Sequence, residues 1–184
     1  GFHAYLQRQD IAFESMWASS ANHKMFTRIK SEATRATQQL AKERGECPDG
    51  KGHGIRNAHL LAVAPNASSS IICGNTSPSI EPYRANAFTQ KTKSGSSLLK
   101  NEYLEHILQE IGMDTDEVWK SIMTSAGSVQ HLEFLDDHTK EVFRTGVEID
   151  QRWVIQHAAD RQQYICQSQS LNIFFPANVS KQEL

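Results

Sequence analysis

The chain has 184 residues, of which 39% are hydrophobic and 22% are charged, and its formal net charge at pH 7 is −2. These proportions are typical of a folded globular protein and exclude a disordered chain, since a chain of this length can bury roughly 70% of its unfolded surface. Its lysines and arginines are scattered, which excludes a surface built for nucleic acid or an anionic membrane. We therefore expect neither among its partners.

The cysteines and the apolar runs indicate a cellular compartment. Cys47, Cys73 and Cys166 are widely spaced and include no Cys-x-x-Cys pair, so no disulfide framework is expected and a reducing compartment is favoured. No 18 consecutive apolar residues occur, and the N-terminal residues lack the basic and apolar regions of a signal peptide. These features predict a cytoplasmic protein.

Helical patterns dominate the first part of the chain. The spacing predicts a short helix over residues 3–9 and a long helix over residues 14–44. The buried face of the long helix is predicted to be an apolar stripe at steps of three and four residues, formed by Met25, Ile29, Ala33, Ala36 and Leu40. Residues 45–54 contain four glycines and a proline, so they are predicted to form a flexible loop.

A predicted strand, turn and helix follow this loop. The apolar run at residues 57–63 predicts a buried strand, and Pro65 and Asn66 end it with a turn. A short helix is predicted at residues 68–73, with its serines in the N-cap region. The first amides of a helix lack internal partners and carry a partial positive charge, which suits a phosphate group. This segment is a candidate phosphate-binding loop, and ordinary helix capping is the alternative.

The second half of the chain is also mostly helical. Residues 76–97 form a long polar segment with little periodicity, which we expect to wrap over a neighbouring part of a larger fold. Asp114 and Glu117 are a predicted capping pair for one of the helices. The further predicted elements are helices at 101–111, 114–124, 136–142 and 151–164 and a strand at 171–175. The predicted fold class is mainly α with a few β-strands, and residues 1–184 are interpreted as a single region.

Two other groups of side chains are candidates for a metal site and for a nucleophile pair. The densest cluster of histidines and acids comprises His131, Glu133, Asp136, Asp137 and His138, but it lacks the spacing of a metal-binding motif and resembles a solvated helix start. His157 and Cys166 could form a nucleophile pair, although their spacing alone indicates nothing about geometry. The sequence therefore predicts no metal site and no catalytic residue.

Three segments resemble the C-terminal portion of the large, catalytic subunit of class I ribonucleotide reductase. The first runs from Arg-Asn-Ala at residues 56–58 through Pro-Asn-Ala-Ser-Ser-Ser at 65–70 to Ser-Ile-Glu-Pro at 79–82. The second is Val-Phe-Arg-Thr-Gly-Val-Glu-Ile at 142–149, and the third, at 158–172, contains Ile-Cys-Gln-Ser-Gln-Ser where the family has Ile-Asp-Gln-Ser-Gln-Ser. Their order and spacing agree with the family, and the Asn-Ala-Ser-Ser-Ser variant is most similar to bacterial and phage forms.

The resemblance implies a fold and an activity. The fold would be a fragment of the family's ten-stranded α/β barrel, and the activity the reduction of ribonucleoside diphosphates to deoxyribonucleotides through a thiyl radical. The family's Asn-x-Cys-x-Glu loop is absent from these 184 residues, and the four tyrosines are isolated rather than paired. The resemblance therefore implies a fragment without a catalytic residue, inactive alone.

The resemblance also implies a binding site and partners. The substrate phosphates would be held by backbone amides and hydroxyls of Pro65, Asn66, Ala67, Ser68, Ser69 and Ser70. Relatives commonly carry aspartate where Cys166 stands, so no redox role is expected there. No cofactor is expected on this chain, because the family's small subunit carries the dimetal and radical cofactor.

The implied partners are a ribonucleoside diphosphate, the remainder of the large subunit and the small radical-generating subunit. Self-association is also expected, because an isolated barrel piece exposes strand edges and an apolar face. Two alternatives stay open at this point. One is a stand-alone module that binds phosphate or nucleotide without catalysis, and the other is a structural or interaction domain.

Overall fold

The structure is a computed structural model that describes residues 1–93, 95–177 and 179–180. Its chain forms two compact units, one from residues 1–18, 65–154 and the described part of 171–184, the other from residues 19–64 and 155–170. The elements are α1 (Phe2–Arg8), α2 (Met16–Arg44), a 3-10 turn (Pro48–Gly50), α3 (Ala67–Ile72), β1 (Ala87–Thr92), β2 (Gly95–Lys100), α4 (Glu102–Glu110), α5 (Asp116–Thr124), α6 (Asp137–Val142) and α7 (Gln151–Gln162). The mainly α fold class is confirmed, and the single-region interpretation stays a prediction.

The predicted helices are all present, and polar side chains begin three of them. Asn101 caps α4 by accepting a hydrogen bond from the Tyr103 amide, and Asp136 caps α6 by accepting one from the Thr139 amide. The predicted capping pair of α5 is wrong, because the N-cap is Thr115, whose side chain accepts from the Val118 amide. Asp114 instead accepts a hydrogen bond of 2.6 Å from the Trp119 indole.

The predicted apolar stripe of α2 is wrong. Ile29 is 40% exposed and Ala36 is also exposed. The buried positions are offset by one residue and include two polar ones, which hydrophobic periodicity does not detect. Asn22 is buried because its amide donates to the His157 carbonyl at 2.8 Å, and Thr37 because its hydroxyl contacts Asn57. The buried residues of α2 are Ala18, Asn22, Phe26, Thr37 and Ala41.

The strand predicted at residues 57–63 forms only an isolated parallel bridge, between Val63 and Gln169. The Val63 amide donates to the Ser168 carbonyl at 3.1 Å, and the Ser170 amide donates to the Val63 carbonyl at 2.9 Å. Residues 57–59 and 62 are exposed. The segment therefore has one short neighbour in the described part of the chain and does not become a buried strand.

The strand predicted at residues 171–175 is also wrong. Its alternate amides donate to side chains instead of to a neighbouring strand. The Asn172 amide donates to the Glu81 carboxylate at 3.1 Å, and the Phe174 amide donates to the Gln151 side chain at 2.8 Å. Both acceptors are buried, so two fixed side chains replace a strand edge.

The segment at residues 76–97, predicted to be long and polar with little periodicity, contains most of a β-hairpin. In this antiparallel pair Ala87 lies opposite Lys100 and Thr92 lies opposite Gly95. The strands are mostly exposed and polar apart from the buried Ala87. Because so little of the hairpin is buried, its sequence carries almost no alternating hydrophobic pattern, and the prediction missed it.

A hydrophobic core fills the first unit. Leu104 and Leu108 of α4 are fully buried, one turn apart, and Trp119 and Ile122 of α5 are nearly so. This spacing is expected of two amphipathic helices that turn one face inward. The core cluster comprises Ala87, Leu104, Leu108, Val118, Trp119, Ile122, Val129, Leu132, Leu135, Val142 and Phe143.

A buried polar network lies beside this core. The Asn86 side-chain amide donates to the carbonyls of Gly127 at 3.0 Å and Phe143 at 2.7 Å. The Asn101 side chain donates to Asn86 at 3.1 Å and to Gln7 at 2.8 Å. Gln7 also donates to the Val142 carbonyl at 3.2 Å. The network joins α1, the start of the hairpin, α4 and the end of α6 through side chains of residues that are at most 5% exposed.

We expect Asn86→Leu to reduce the free energy of unfolding by about 2–4 kcal/mol, because it leaves the buried Phe143 carbonyl without its donor and the Asn101 side chain without one of its acceptors. Urea denaturation monitored by circular dichroism measures the change. Gln38→Leu, at an exposed position of α2, is the control and should change stability by less than about 0.5 kcal/mol. Equal effects of the two substitutions would contradict the role of the network.

We expect His3 to make stability fall with acid. Burial lowers the pKa of His3 to about 3 from an ordinary value of 6.5, and its Nδ1 accepts a hydrogen bond from the Tyr83 amide at 3.0 Å. Below pH 6.5 the unfolded chain therefore takes up a proton that the folded chain does not. The contribution of His3 to the free energy of unfolding is fully present above the pKa of His3 in the unfolded chain. As the pH falls from there towards the pKa of His3 in the folded chain, this contribution decreases by up to about 1.4 kcal/mol per pH unit.

The measurement is urea denaturation of wild type and His3→Gln at pH 7 and at pH 5. The stability difference between them should shrink by roughly 2 kcal/mol at the lower pH. Gln38→Leu, which changes an exposed residue that does not titrate, should show no such pH dependence. A wild-type to His3→Gln difference that is constant with pH would contradict a buried neutral histidine.

Candidate phosphate-binding site

Helix α3 begins directly after Asn66, whose backbone is left-handed, with φ 50° and ψ 26°. Asparagine tolerates this conformation better than most residues, so it suits a sharp entry into a helix. The Asn66 side chain makes no capping hydrogen bond. The prediction that the serines occupy the N-cap is therefore wrong, because Ser68 and Ser69 lie inside the first turn.

The first turn of α3 offers amide donors to solvent. The first helical hydrogen bond runs from the Ser70 amide to the Asn66 carbonyl at 3.0 Å. The amides of Ala67, Ser68 and Ser69 precede it and have no carbonyl partner within the helix. Residues 65–69 are exposed, so an anion can reach these amides from water.

The hydroxyls of Ser69 and Ser70 are directed at backbone carbonyls of the loop, so they are poor donors to a bound anion. The Ser70 hydroxyl donates to the Ala67 carbonyl at 2.9 Å, and the Ser69 hydroxyl lies 3.4 Å from the Asn66 carbonyl. Their protons point back to the helix backbone. Donation to a phosphate oxygen must therefore come mainly from the amides and from the exposed Ser68 hydroxyl.

The far end of α3 is fixed by its own backbone and by a buried tyrosine. The Thr76 amide donates to the Ser70 carbonyl at 3.2 Å, and the Asn75 amide donates to the Ile71 carbonyl at 3.1 Å. The Tyr83 hydroxyl donates to the Asn75 carbonyl at 3.0 Å. Burial raises the pKa of Tyr83, with smaller contributions from Tyr103 and Glu102, so this hydroxyl keeps its proton at neutral pH.

A cavity of about 380 Å³ lies against α3. Two residues of the predicted loop, Ala67 and Ser70, form part of its wall. Arg84 also lines it, and its guanidinium lies 5.3 Å from the centre of the Phe174 ring. The lining residues are Ala67, Ser70, Ile71, Asn75, Thr76, Pro78, Tyr83, Arg84, Ala85 and Phe88.

The structure thus keeps the predicted loop, Pro65 to Ser70, as one turn and one helix start, with Ser70 buried and the other residues exposed. Sequence reasoning missed Asn75, Tyr83 and Arg84. Tyr83 and Arg84 lie in the polar segment at residues 76–97 and Asn75 lies directly before it, so no periodicity marked them. The dipeptide Tyr83-Arg84 follows the Ser-Ile-Glu-Pro run directly, which is the signal that could have drawn attention to it.

The other candidate sites are dispersed. His131 contacts the Ser121 hydroxyl at 3.0 Å, and Asp136 caps α6. Across residues 1–93, 95–177 and 179–180 we found no group of three or more side chains with metal-binding donors. The histidine and acid cluster makes separate polar contacts in the described part of the chain.

Cys166 lies in the second unit and has backbone partners. Its sulfur accepts hydrogen bonds from the amides of Leu60 at 3.0 Å and Leu61 at 3.2 Å. These bonds lower the pKa of the Cys166 thiol. The Cys166 thiol also donates to the Leu61 carbonyl at 3.4 Å, so the side chain is bonded to the backbone of residues 60 and 61. His157 is fully buried whereas Cys166 is exposed, so the two do not resemble a nucleophile pair.

None of the helices formed by the described residues is both long enough and apolar enough to cross a bilayer.

Comparison with protein families gives one match over most of the chain. Residues 48–184 match the model of the ribonucleotide reductase barrel domain. The chain is 50% identical over 184 residues to a protein of Frog virus 3 (isolate Goorha), covering 100% of this chain and 32% of that protein. It is 49% identical over 188 residues to the ribonucleoside-diphosphate reductase large subunit of Invertebrate iridescent virus 6, covering 100% of this chain and 20% of that protein.

A solved structure shows the same fold. The ribonucleotide reductase alpha subunit of Actinobacillus ureae, of class Id, matches with a TM-score of 0.86 and 48% identity over 94% of this chain and 31% of that chain. The chain thus spans about a third or less of the length of these relatives. The predicted barrel fragment is confirmed. The chain belongs to the ribonucleotide reductase large-subunit family and corresponds to part of its barrel domain.

Proposed function

We propose that this chain supplies the site that binds the substrate diphosphate in a ribonucleoside-diphosphate reductase, and that residues Pro65 to Ser70 form it. The observation that carries the proposal is the exposed first turn of α3, where the amides of Ala67, Ser68 and Ser69 precede the first helical hydrogen bond. Relatives named as large subunits of this reductase match over the whole chain, which supports the proposal that the site serves that function.

Backbone amides are the expected ligands because the loop contains no lysine or arginine. Pro65 and the left-handed Asn66 set the direction of the turn. A helix start contributes about 0.3–1 kcal/mol to holding one charge at an exposed site. The isolated chain therefore binds a diphosphate weakly, and the remainder of the subunit supplies further contacts to the nucleotide.

The reaction proposed for the whole subunit is the reduction of ribonucleoside diphosphates to deoxyribonucleotides. The chain has no Asn-x-Cys-x-Glu motif and no paired tyrosines, so none of its residues is assigned a catalytic role and the chain alone is expected to be inactive. The described residues do not offer a metal-binding donor set. We accordingly assign the dimetal and radical cofactor to the small subunit, and no cofactor to this chain.

We further propose that the reductase is a class I enzyme of the bacterial or phage type and that it is located in the cytoplasm. The class Id bacterial relative supports the class, while the virus relatives show that similar chains also occur in viruses of other hosts. The partners proposed are a ribonucleoside diphosphate, the remainder of the large subunit, the small radical-generating subunit and a second copy of this chain.

We expect Ser69→Pro to weaken pyrophosphate binding by at least about tenfold, because it removes one amide donor from the first turn. Isothermal titration calorimetry with pyrophosphate measures the affinity, and circular dichroism should show nearly unchanged helix content because proline is tolerated in a first helical turn. Ser69→Ala is the matched control, since it keeps the amide and should change the affinity by less than about threefold. Unchanged binding in Ser69→Pro would falsify the loop assignment.

We also expect the isolated chain to self-associate. Met16 is 75% exposed, Trp17 76% and Ile72 87%, and large exposed apolar side chains favour association in water. Light scattering should give a mass above the 20.7 kDa of one chain that rises with concentration. Trp17→Lys should lower this mass, whereas Lys24→Arg, at an exposed position of the same helix, should not. A concentration-independent monomer would contradict the expectation.

A further inference from the structure

We propose that the cavity beside α3 is a binding site for a small planar aromatic anion. The cavity measures about 380 Å³, which lies at the small end of the range for ligand pockets and fits one or two fused rings. This inference concerns the space under the helix and stands independently of phosphate binding at the exposed first turn.

The walls of the cavity select an apolar ring. Ile71, Pro78, Ala85 and Phe88 supply aliphatic and aromatic surface, and the Tyr83 ring is buried beside them. The Tyr83 hydroxyl is already bonded to the Asn75 carbonyl, so this residue presents its ring to a ligand. A planar ligand in this cavity would bury apolar surface and would also contact the aromatic rings of the wall.

One cation at the cavity selects an anion. Arg84 is exposed, and among the ion pairs formed by the described residues none includes Arg84. The Phe174 ring lies 5.3 Å from its guanidinium carbon and restricts where the group can point. Guanidinium stacked on a ring keeps its edge donors available for a carboxylate. An apolar pocket with a guanidinium group at its wall fits an aromatic carboxylate.

The binding test uses the 184-residue chain and two probes, 2-naphthoate and the neutral 2-naphthol, with affinity measured by calorimetry and by chemical-shift changes. We expect saturable binding of 2-naphthoate with a dissociation constant near or below about 1 mM. Arg84→Gln should weaken naphthoate by about threefold or more and leave naphthol unchanged. Arg8→Gln, which changes an exposed arginine outside the cavity, should affect neither probe.

Two adjacent isoleucines of α3 provide a matched pair of variants. Ile71 lines the cavity, whereas Ile72 is 87% exposed and does not. Ile71→Trp should fill the cavity and abolish binding of both probes, while Ile72→Trp should leave binding unchanged. Circular dichroism and thermal melting check that both variants fold, and Arg84→Gln tests the proposal independently if Ile71→Trp does not fold.

Three results would overturn the proposal. The first is the absence of saturable naphthoate binding to the wild type. The second is equal loss of naphthoate and naphthol in Arg84→Gln, which would mean that no anion is recognised. The third is loss of naphthoate binding in the complete large subunit encoded by the source gene, which would mean that polypeptide covers the cavity. Pyrophosphate binding is measured separately, so failure here leaves the proposed phosphate site untouched.

Discussion

The first unit depends on a hydrogen-bond network that must be satisfied without water. Asn86 is 2% exposed and Asn101 1% exposed, and between them they serve carbonyls, amides and Gln7 from separate segments of the chain. Leaving a buried amide without a partner costs more free energy than a hydrogen bond contributes to stability. Each segment is therefore stable only in the position that completes the network. Hydrophobic burial makes the unit collapse, whereas these amides decide how the segments lie in it.

The candidate site inherits its rigidity from this arrangement. His3 of α1 accepts a hydrogen bond from the Tyr83 amide, and the Tyr83 hydroxyl holds the turn that ends α3. A six-residue helix is too short to be stable by itself, so its first turn stays in place because its last turn is anchored. The exposed first turn of α3 is thus held in place through a buried tyrosine at the opposite end of the helix.

The same physics explains what the sequence could predict. Helices with one apolar face, such as α4 with Leu104 and Leu108, follow directly from their spacing, and the candidate loop follows from proline, asparagine and serine chemistry. The face of α2 was mispredicted because Asn22 and Thr37 are buried by specific partners that lie far away in sequence. Hydrophobic periodicity reports apolar burial alone. The buried polar residues and the residues around the cavity, such as Arg84, could therefore be identified only from the structure.

The two mispredicted strands show a further limit of local patterns. An apolar run indicates that a segment is extended, but a strand also needs a neighbour along its hydrogen-bonding edge. For residues 171–175 that edge is formed by Glu81 and Gln151, whose oxygens accept from alternate amides as the carbonyls of a strand would. Glu81 lies in the Ser-Ile-Glu-Pro run, and Asn172 is the last residue of the segment at 158–172 that contains Gln-Ser-Gln-Ser. Two of the segments that identify the family are therefore in contact through a carboxylate and an amide, and this contact gives their joint occurrence in the sequence a structural reason.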